Sequence, residues 1–296
     1  MRGLKRVIWV KYPRTEMPIV LPKGKKCAVI LSWDFDAMSA FVLRGETTPT
    51  LISQGEFGAR VGVPRVLDLC DKYNFKTTFF VPAWTIEVYP ELTKKIFDKG
   101  HEIAHHMWCH EDAPQLSYEK ELELMEKANE VIKRVTGKYP VGNRSGGFAN
   151  SNNTIKLMED HGFLYDSTQM GDDFNPYRCR VGDHGSPQEP WVFGRQSNII
   201  ELPISWYMDD YPHFEFRRAP LNPGLHAPSD VFEVWSQEFD YMYDNVVNGV
   251  YVLTLHPYIS GRAHRIMMIE RLIQHMMRQK GVWFCRGEDV ARCWKD

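Results

Sequence analysis

The feature that most constrains this chain is the alternation, from residue 25 onward, of short β-rich runs with helical patterns. Ala28-Val29-Ile30-Leu31, Thr77-Thr78-Phe79-Phe80-Val81 and Val250-Tyr251-Val252-Leu253-Thr254-Leu255 are continuous apolar or β-branched runs, as in strands buried on both faces. Ile199-Ile200-Glu201-Leu202 is a weaker fourth, and Gly100 to Ala104 reads as another short strand. Between them, Tyr118, Leu122, Met125, Ala128, Ile132 and Val135 recur at helical steps, with Ser117 at the N-cap position and Gly137 at the C-cap. A second helix is predicted from Pro90 to Lys99, ended by Gly100. Strand–helix alternation is the signature of a parallel sheet with crossovers, a barrel or a doubly wound sheet. No repeat or low-complexity linker breaks it, so one domain is expected over residues 28–296, after an N-terminal extension at 1–27. Two stretches, 171–198 and 207–230, are rich in Pro, Gly and charge and read as irregular lids or binding loops, with Tyr207, Tyr211, Phe214, Phe216 and Arg217 long enough to roof a site.

Composition narrows the function classes. A balance of 36 Lys+Arg against 38 Asp+Glu offers no field for nucleic acid or an anionic membrane. No apolar run approaches the roughly 18 residues that span a bilayer. The apolar stretch Val7-Ile8-Trp9-Val10 is too short for a secretory core, so a cytoplasmic location is expected. The 6 cysteines show no framework spacing and read as reduced, packed thiols.

Four segments carry candidate chemistry. In Ser32-Trp33-Asp34-Phe35-Asp36, residues two apart in an extended chain share a face, so Asp34 and Asp36 sit together; alone, such a pair is more often a turn or cap. Gly100-His101-Glu102-Ile103-Ala104-His105-His106-Met107-Trp108-Cys109-His110 concentrates four of the chain's 11 histidines. The spacing predicts His106 and His110 on one face of a helical turn, where a metal would need them, with His101 and His105 as the rival pair. Two histidines and one carboxylate, with coordination positions to spare, make a catalytic site for zinc, or for Fe(II) in oxygen chemistry. Asp36 would be the third ligand, leaving Asp34 as a base, which suits hydrolysis. His256 closes the 250–255 strand, where barrel folds keep their chemistry, and Arg144 in Gly142-Asn143-Arg144-Ser145-Gly146-Gly147 could hold a buried carboxylate.

Together and in this order, these segments resemble the polysaccharide deacetylase family, also called the NodB-homology or carbohydrate esterase 4 family. The resemblance runs from about residue 28 to 292 and includes Gly281-Val282-Trp283-Phe284 and Glu288-Asp289-Val290-Ala291. It implies a distorted (β/α) barrel of the NodB-homology type with about seven parallel strands. It also implies Asp34 as base, Asp36, His106 and His110 as metal ligands, Arg144 as partner of Asp34, and His256 as acid. The split Asp34-Phe35-Asp36, where the family usually has adjacent acids, resembles a branch of allantoinase-like proteins, cyclic imidases and some peptidoglycan deacetylases. Gly55 to Arg60 and His256 to Arg265 are similar to that branch, and Glu56, Arg60 and Arg262, with Trp206 and Tyr207, are the expected substrate contacts. The family's Asp-Trp motif, which tunes the acidic histidine, is matched only loosely by Glu201 to Trp206 and Asp209-Asp210. The implied cofactor is a divalent metal, zinc first, with cobalt or manganese as alternatives. The function expected first is hydrolysis of a small amide or cyclic imide or ureide. Its alternatives are an N-deacetylase of polysaccharide or peptidoglycan and an inactive ligand-binding pseudoenzyme. A homo-oligomer without nucleic-acid or membrane partners is expected.

Overall fold

The computed structural model describes residues 19–217 and 224–295. Eleven strands are described: β1 (Cys27–Asp34), β2 (Thr78–Val81), β3 (Glu102–His105), β4 (Gly142–Asn143), β5 (Tyr165–Asp166), β6 (Tyr177–Val181), β7 (His184–Ser186), β8 (Glu189–Val192), β9 (Arg195–Glu201), β10 (Val250–Leu255) and β11 (Val282–Phe284). The main sheet runs β10-β1-β2-β3-β4-β5-β9-β6, with β11 also on β1. Seven strands in this row, β10 through β9, are mutually parallel; β6 is the antiparallel edge. The result is a curled sheet, an incompletely closed (β/α) barrel of the expected kind.

The two-residue period of β1 sorts its side chains into two cores. Cys27, Val29, Leu31, Trp33 and Phe35 face outward into the layer shared with the helices. Ala28 and Ile30 face the interior with Phe80, Ala104, Leu202, Val250 and Val252. Continuing that interior face brings Ser32 and Asp34 to the upper end, and the same parity carries His106 and His256 there from β3 and β10. The gap between β9 and β10 is bridged by Asp209 pairing with Thr254 and by Val250 N donating to Phe174 O at 2.9 Å.

The helix Tyr118–Thr136 starts where Ser117 Oγ accepts from Lys120 N and stops at Gly137, whose φ of +79° suits a residue without a side chain. The predicted second helix runs Pro90–Asp98. The stretch 171–198 is a correction: it holds β6, the exposed hairpin β7–β8 and the start of β9. Its strands are short and solvent-facing, so no apolar alternation marks them. Within 207–230, residues 210–214 form a short helix, and Phe214 is no lid residue: it is 1% exposed and packs edge-on against Trp235. Residues 218–223 of that stretch, and 1–18 of the expected extension, lie outside the described residues. Ile19 is buried and pairs with Trp294. Among the described residues, no helix is long and apolar enough to cross a membrane.

Candidate active site

Asp34 ends β1, and the chain turns at Ala37, whose φ of +48° is left-handed, so that Asp36 folds back over the strand end. His106 follows β3 directly. The predicted helical turn from His106 to His110 is not formed. Met107 and His110 instead adopt positive φ, +61° and +70°, in a tight non-helical turn. Neighbours pin that turn: Ala83 N and Trp84 N donate to Met107 O and Trp108 O, and the Glu111 carboxylate accepts from Trp108 N and Cys109 N. Helical backbone bonding is thereby replaced, and strain of this sort concentrates at functional sites.

The two histidines still meet Asp36. His106 Nε2 is 3.4 Å from Asp36 Oδ1, His110 Nε2 is 3.8 Å from Oδ2, and the three donor atoms lie within 4.8 Å of one another. These separations exceed an ordinary hydrogen bond, and Asp36 Oδ1 and His106 Nε2 are buried without a hydrogen-bond partner among the described residues. Such orphaned atoms fit donors that share a cation, and the nitrogen–oxygen set suits zinc and similar ions. His106 Nδ1 lies 2.6 Å from Arg144 O. A carbonyl only accepts, so Nδ1 carries the proton and Nε2 keeps its lone pair. Burial alone would raise the Asp36 carboxyl, but His110, His106 and His256 outweigh it and hold it below the usual carboxylate range. Burial depresses His110, reinforced by His106 and opposed by Asp36.

On one flank, Asp34 Oδ1 accepts from Arg144 Nη1 at 2.7 Å, and Asp34 Oδ2 lies 3.8 Å from His106 Nε2. On the other, His256 Nε2 is 3.6 Å from Asp36 Oδ2, while its Nδ1 is 2.6 Å from Asp210 Oδ1. Asp210 Oδ2 also accepts from His256 N at 2.8 Å, so one carboxylate holds both ring and backbone. Burial pulls the His256 imidazole down, but Asp210, with Asp209 and Asp36, carries it well above its usual value.

The rival histidines do not join the site. His101 Nδ1 accepts from Thr77 N, and His105 Nδ1 is bonded to Asn143 Oδ1. Of the expected substrate contacts, Trp206 is 47% exposed and tilted against Phe148 at 4.7 Å, 5.8 Å from which lies the Arg144 guanidinium. Tyr207 donates its hydroxyl to Asp173. Glu56 and Arg60 influence Tyr89, whose hydroxyl is pushed up by burial and then by Glu56. Arg262 lies on the Phe57 ring. Three contributors carry little signal in the sequence. The Asp209-Asp210 pair matches its motif only loosely, Glu215 lies in no motif, and Gly146 is one glycine among several. Gly146 lies so flat on His110 that a Cβ there would sit 2.9 Å from Nδ1.

The polysaccharide deacetylase family model matches residues 55–165. The peptidoglycan deacetylase of Helicobacter pylori is 34% identical over 281 residues, covering 90% of this chain and 96% of that one. The peptidoglycan deacetylase-like protein FGM2 of Gibberella zeae is 32% identical, covering 93% and 89%. A Mycobacterium smegmatis structure, named as a polysaccharide deacetylase candidate, superposes with a TM-score of 0.82 at 33% identity, covering 94% and 93%. Puue allantoinase shares the fold at 24% identity and a TM-score of 0.78, covering 96% and 98%. With this much shared sequence over nearly the full length of both partners, the chain belongs to the polysaccharide deacetylase family.

Proposed function

We propose that the chain removes the acetyl group from an N-acetyl sugar of a polysaccharide or peptidoglycan, using a divalent ion held by Asp36, His106 and His110. The supporting observation is the convergence on Asp36 of two histidines and, from opposite flanks, an arginine-paired carboxylate and a carboxylate-paired histidine. When bound, the ion polarises the amide carbonyl and acidifies water. Asp34, oriented by Arg144, accepts a proton from the attacking water at Oδ2. His256, kept protonated by Asp210, delivers a proton from Nε2 to the leaving nitrogen, so acetate and a free amine result. Each of these acid–base roles contributes about 10²–10⁴-fold.

This reading displaces the small amide or cyclic imide as first choice. The Helicobacter pylori and Gibberella zeae relatives, at 34% and 32% identity over about nine-tenths of this chain, carry peptidoglycan names, whereas the allantoinase likeness, at 24%, is one of fold. The test is acetate release and amine formation by zinc-loaded protein on N-acetylglucosamine oligomers and on purified peptidoglycan, beside hydantoin and a five-membered cyclic imide. Acetate release is expected. Ring opening of an imide or hydantoin, with no acetate from either polymer, overturns the proposal.

A further inference from the structure

Beside the catalytic residues lies positive charge that the deacetylation chemistry leaves unused. Directly after His256, Pro257–Ser260 form a single helical turn, and Ile259 N and Ser260 N both donate to His256 O, at 2.9 and 2.8 Å. Three guanidinium groups gather on this turn. Arg265 donates from Nη1 to Ile259 O and from Nη2 to Phe214 O, both at 3.1 Å. Arg65 donates from Nη1 to Gly261 O at 2.9 Å. Arg262, the next residue, lays its guanidinium 3.6 Å from the centroid of the Phe57 ring.

All three therefore contact neutral carbonyls or a ring face, where a buried or half-buried arginine ordinarily meets a carboxylate. Arg265 is 8% exposed, and its Nε has no hydrogen-bond partner among the described residues. Burial and Arg65 together lower the Arg262 guanidinium below its usual range, against the pull of Glu215. Glu215 does not cancel the excess. Its carboxylate is taken up by Gln54 Nε2 at 3.0 and 3.2 Å, and burial pushes it up to about 7 despite His256. The 15-residue helix Ala263–Met277 also begins here, with Arg262 as its N-cap residue, so its positive end adds to the same field. Of the three arginines, Arg262 is the half-buried one whose forked donors are not spent on backbone among the described residues.

We propose that Arg262, with Arg65 and the start of the helix Ala263–Met277, forms an anion subsite that takes a carboxylate carried by the substrate. The inference rests on the deacetylase reading and narrows it: the acetylated sugar bears, or adjoins, an acidic substituent such as the free lactyl carboxylate of a muramic acid unit that carries no peptide stem. A neutral N-acetylglucosamine chain would leave the subsite empty.

The test compares calorimetric binding of N-acetylmuramic acid and its methyl ester to zinc-loaded protein, in the wild type, Arg262→Gln and Arg262→Lys, with circular dichroism confirming each fold. The wild type is expected to prefer the acid by about tenfold or more, the size of one charge-assisted hydrogen bond. Arg262→Gln should abolish the preference, and Arg262→Lys should keep part of it. Equal binding of acid and ester, or no binding of either, by the wild type overturns the subsite. A preference that survives Arg262→Gln, as direct ligation of the carboxylate by zinc would give, overturns it too. Acetate release is measured separately. Acid preference without deacetylation of any N-acetyl sugar removes the deacetylase reading and leaves the subsite standing.

Discussion

Arg144 Nη1 lies 2.7 Å from Asp34 Oδ1, while the second oxygen of that carboxylate lies 3.8 Å from His106 Nε2. The arginine has no exposed surface, and its other donors go to Ser32 Oγ, Ser167 O and Ser167 Oγ. A buried ion pair costs desolvation and is weak evidence for stability, so its value here is orientation. One carboxylate oxygen is fixed by the arginine and the other is aimed at the space beside Asp36. Asp34→Asn keeps the shape and an oxygen for Arg144 but removes the base. It should lower kcat by about 10²–10⁴-fold with bound zinc unchanged. Loss of zinc in this variant would exchange the roles of Asp34 and Asp36, and a near-normal rate would remove Asp34 from the mechanism.

The metal assignment separates cleanly from its rival. Alanine at Asp36, His106 or His110 should lower bound metal by a large factor in elemental analysis. His101→Ala and His105→Ala should retain it, because neither ring lies in the cluster with Asp36 and each is turned away through its Nδ1, to Thr77 N and to Asn143 Oδ1. Metal loss from His105→Ala but not from His106→Ala would reverse the choice.

Gly146 is a positioning residue for His110. A methyl group there would meet the imidazole at 2.9 Å from Nδ1, closer than real contacts allow, and at 3.1 Å from Cε1 and Cγ, tighter than most. The ring must then swing, and His110 is the most exposed of the three donors, at 21%. Gly146→Ala should weaken zinc affinity while leaving the melting temperature of the metal-free protein within a few degrees. Unchanged zinc affinity would show that the ring adapts and that the contact is incidental.

Much of this is legible in the sequence because buried parallel strands announce themselves by unbroken apolar runs, and the site residues sit where those runs end. β1, β2 and β10 are readable for that reason, β9 only through Ile199 and Ile200, and β3 only through the short stretch after Gly100. β4 and β5, two residues each, and the exposed hairpin β7–β8 bury too little to leave a pattern. The His106–His110 spacing points to the two rings that meet Asp36, but through a helical turn that is not formed. Four-residue separation is also produced by a turn with two left-handed residues; the Glu111 carboxylate favours that turn locally, but the amides of Ala83 and Trp84 that hold it are tertiary. Asp210 is hard to assign because its partner His256 lies 46 residues away and is reached only through the bridge of Asp209 to Thr254.

The His256–Asp210 pair should set the alkaline limit of activity. Burial opposes the imidazolium, but Asp210 at 2.6 Å, helped by Asp209 and Asp36, raises His256 well above its usual value. An acid must be protonated to act, so the rate falls as pH rises through that raised value. Asp210→Asn preserves an acceptor for Nδ1–H and removes the charge, so the alkaline limb of kcat/KM should move to lower pH. A limb that stays in place while kcat falls would give Asp210 a purely steric role.

Glu102 should make the fold pH-sensitive far from the catalytic residues. It lies in β3, 2% exposed, and its Oε2 accepts from Thr78 Oγ1 at 2.6 Å and from Glu288 N at 3.1 Å. Thr78 Oγ1 also accepts from Gly287 N at 2.8 Å, so the two residues together anchor the start of the closing helix Gly287–Ala291. Burial, and then the charge of Glu288, pushes the Glu102 carboxyl from 4.5 up to about 7. A raised carboxyl in the folded state means that the native protein binds a proton which the unfolded chain has already released. Stability is therefore greatest below about 4.5, falls as pH rises through the window to about 7, and is level above it as far as this group is concerned. The full loss is bounded by about 3 kcal/mol, because each tenfold tightening of proton binding is worth about 1.4 kcal/mol. Glu102→Gln stays neutral throughout, so its melting temperature relative to the wild type should be several degrees more favourable at pH 8 than at pH 5. Thermal melts of both proteins across that range decide it: a difference independent of pH would mean that Glu102 is not ionising against its burial.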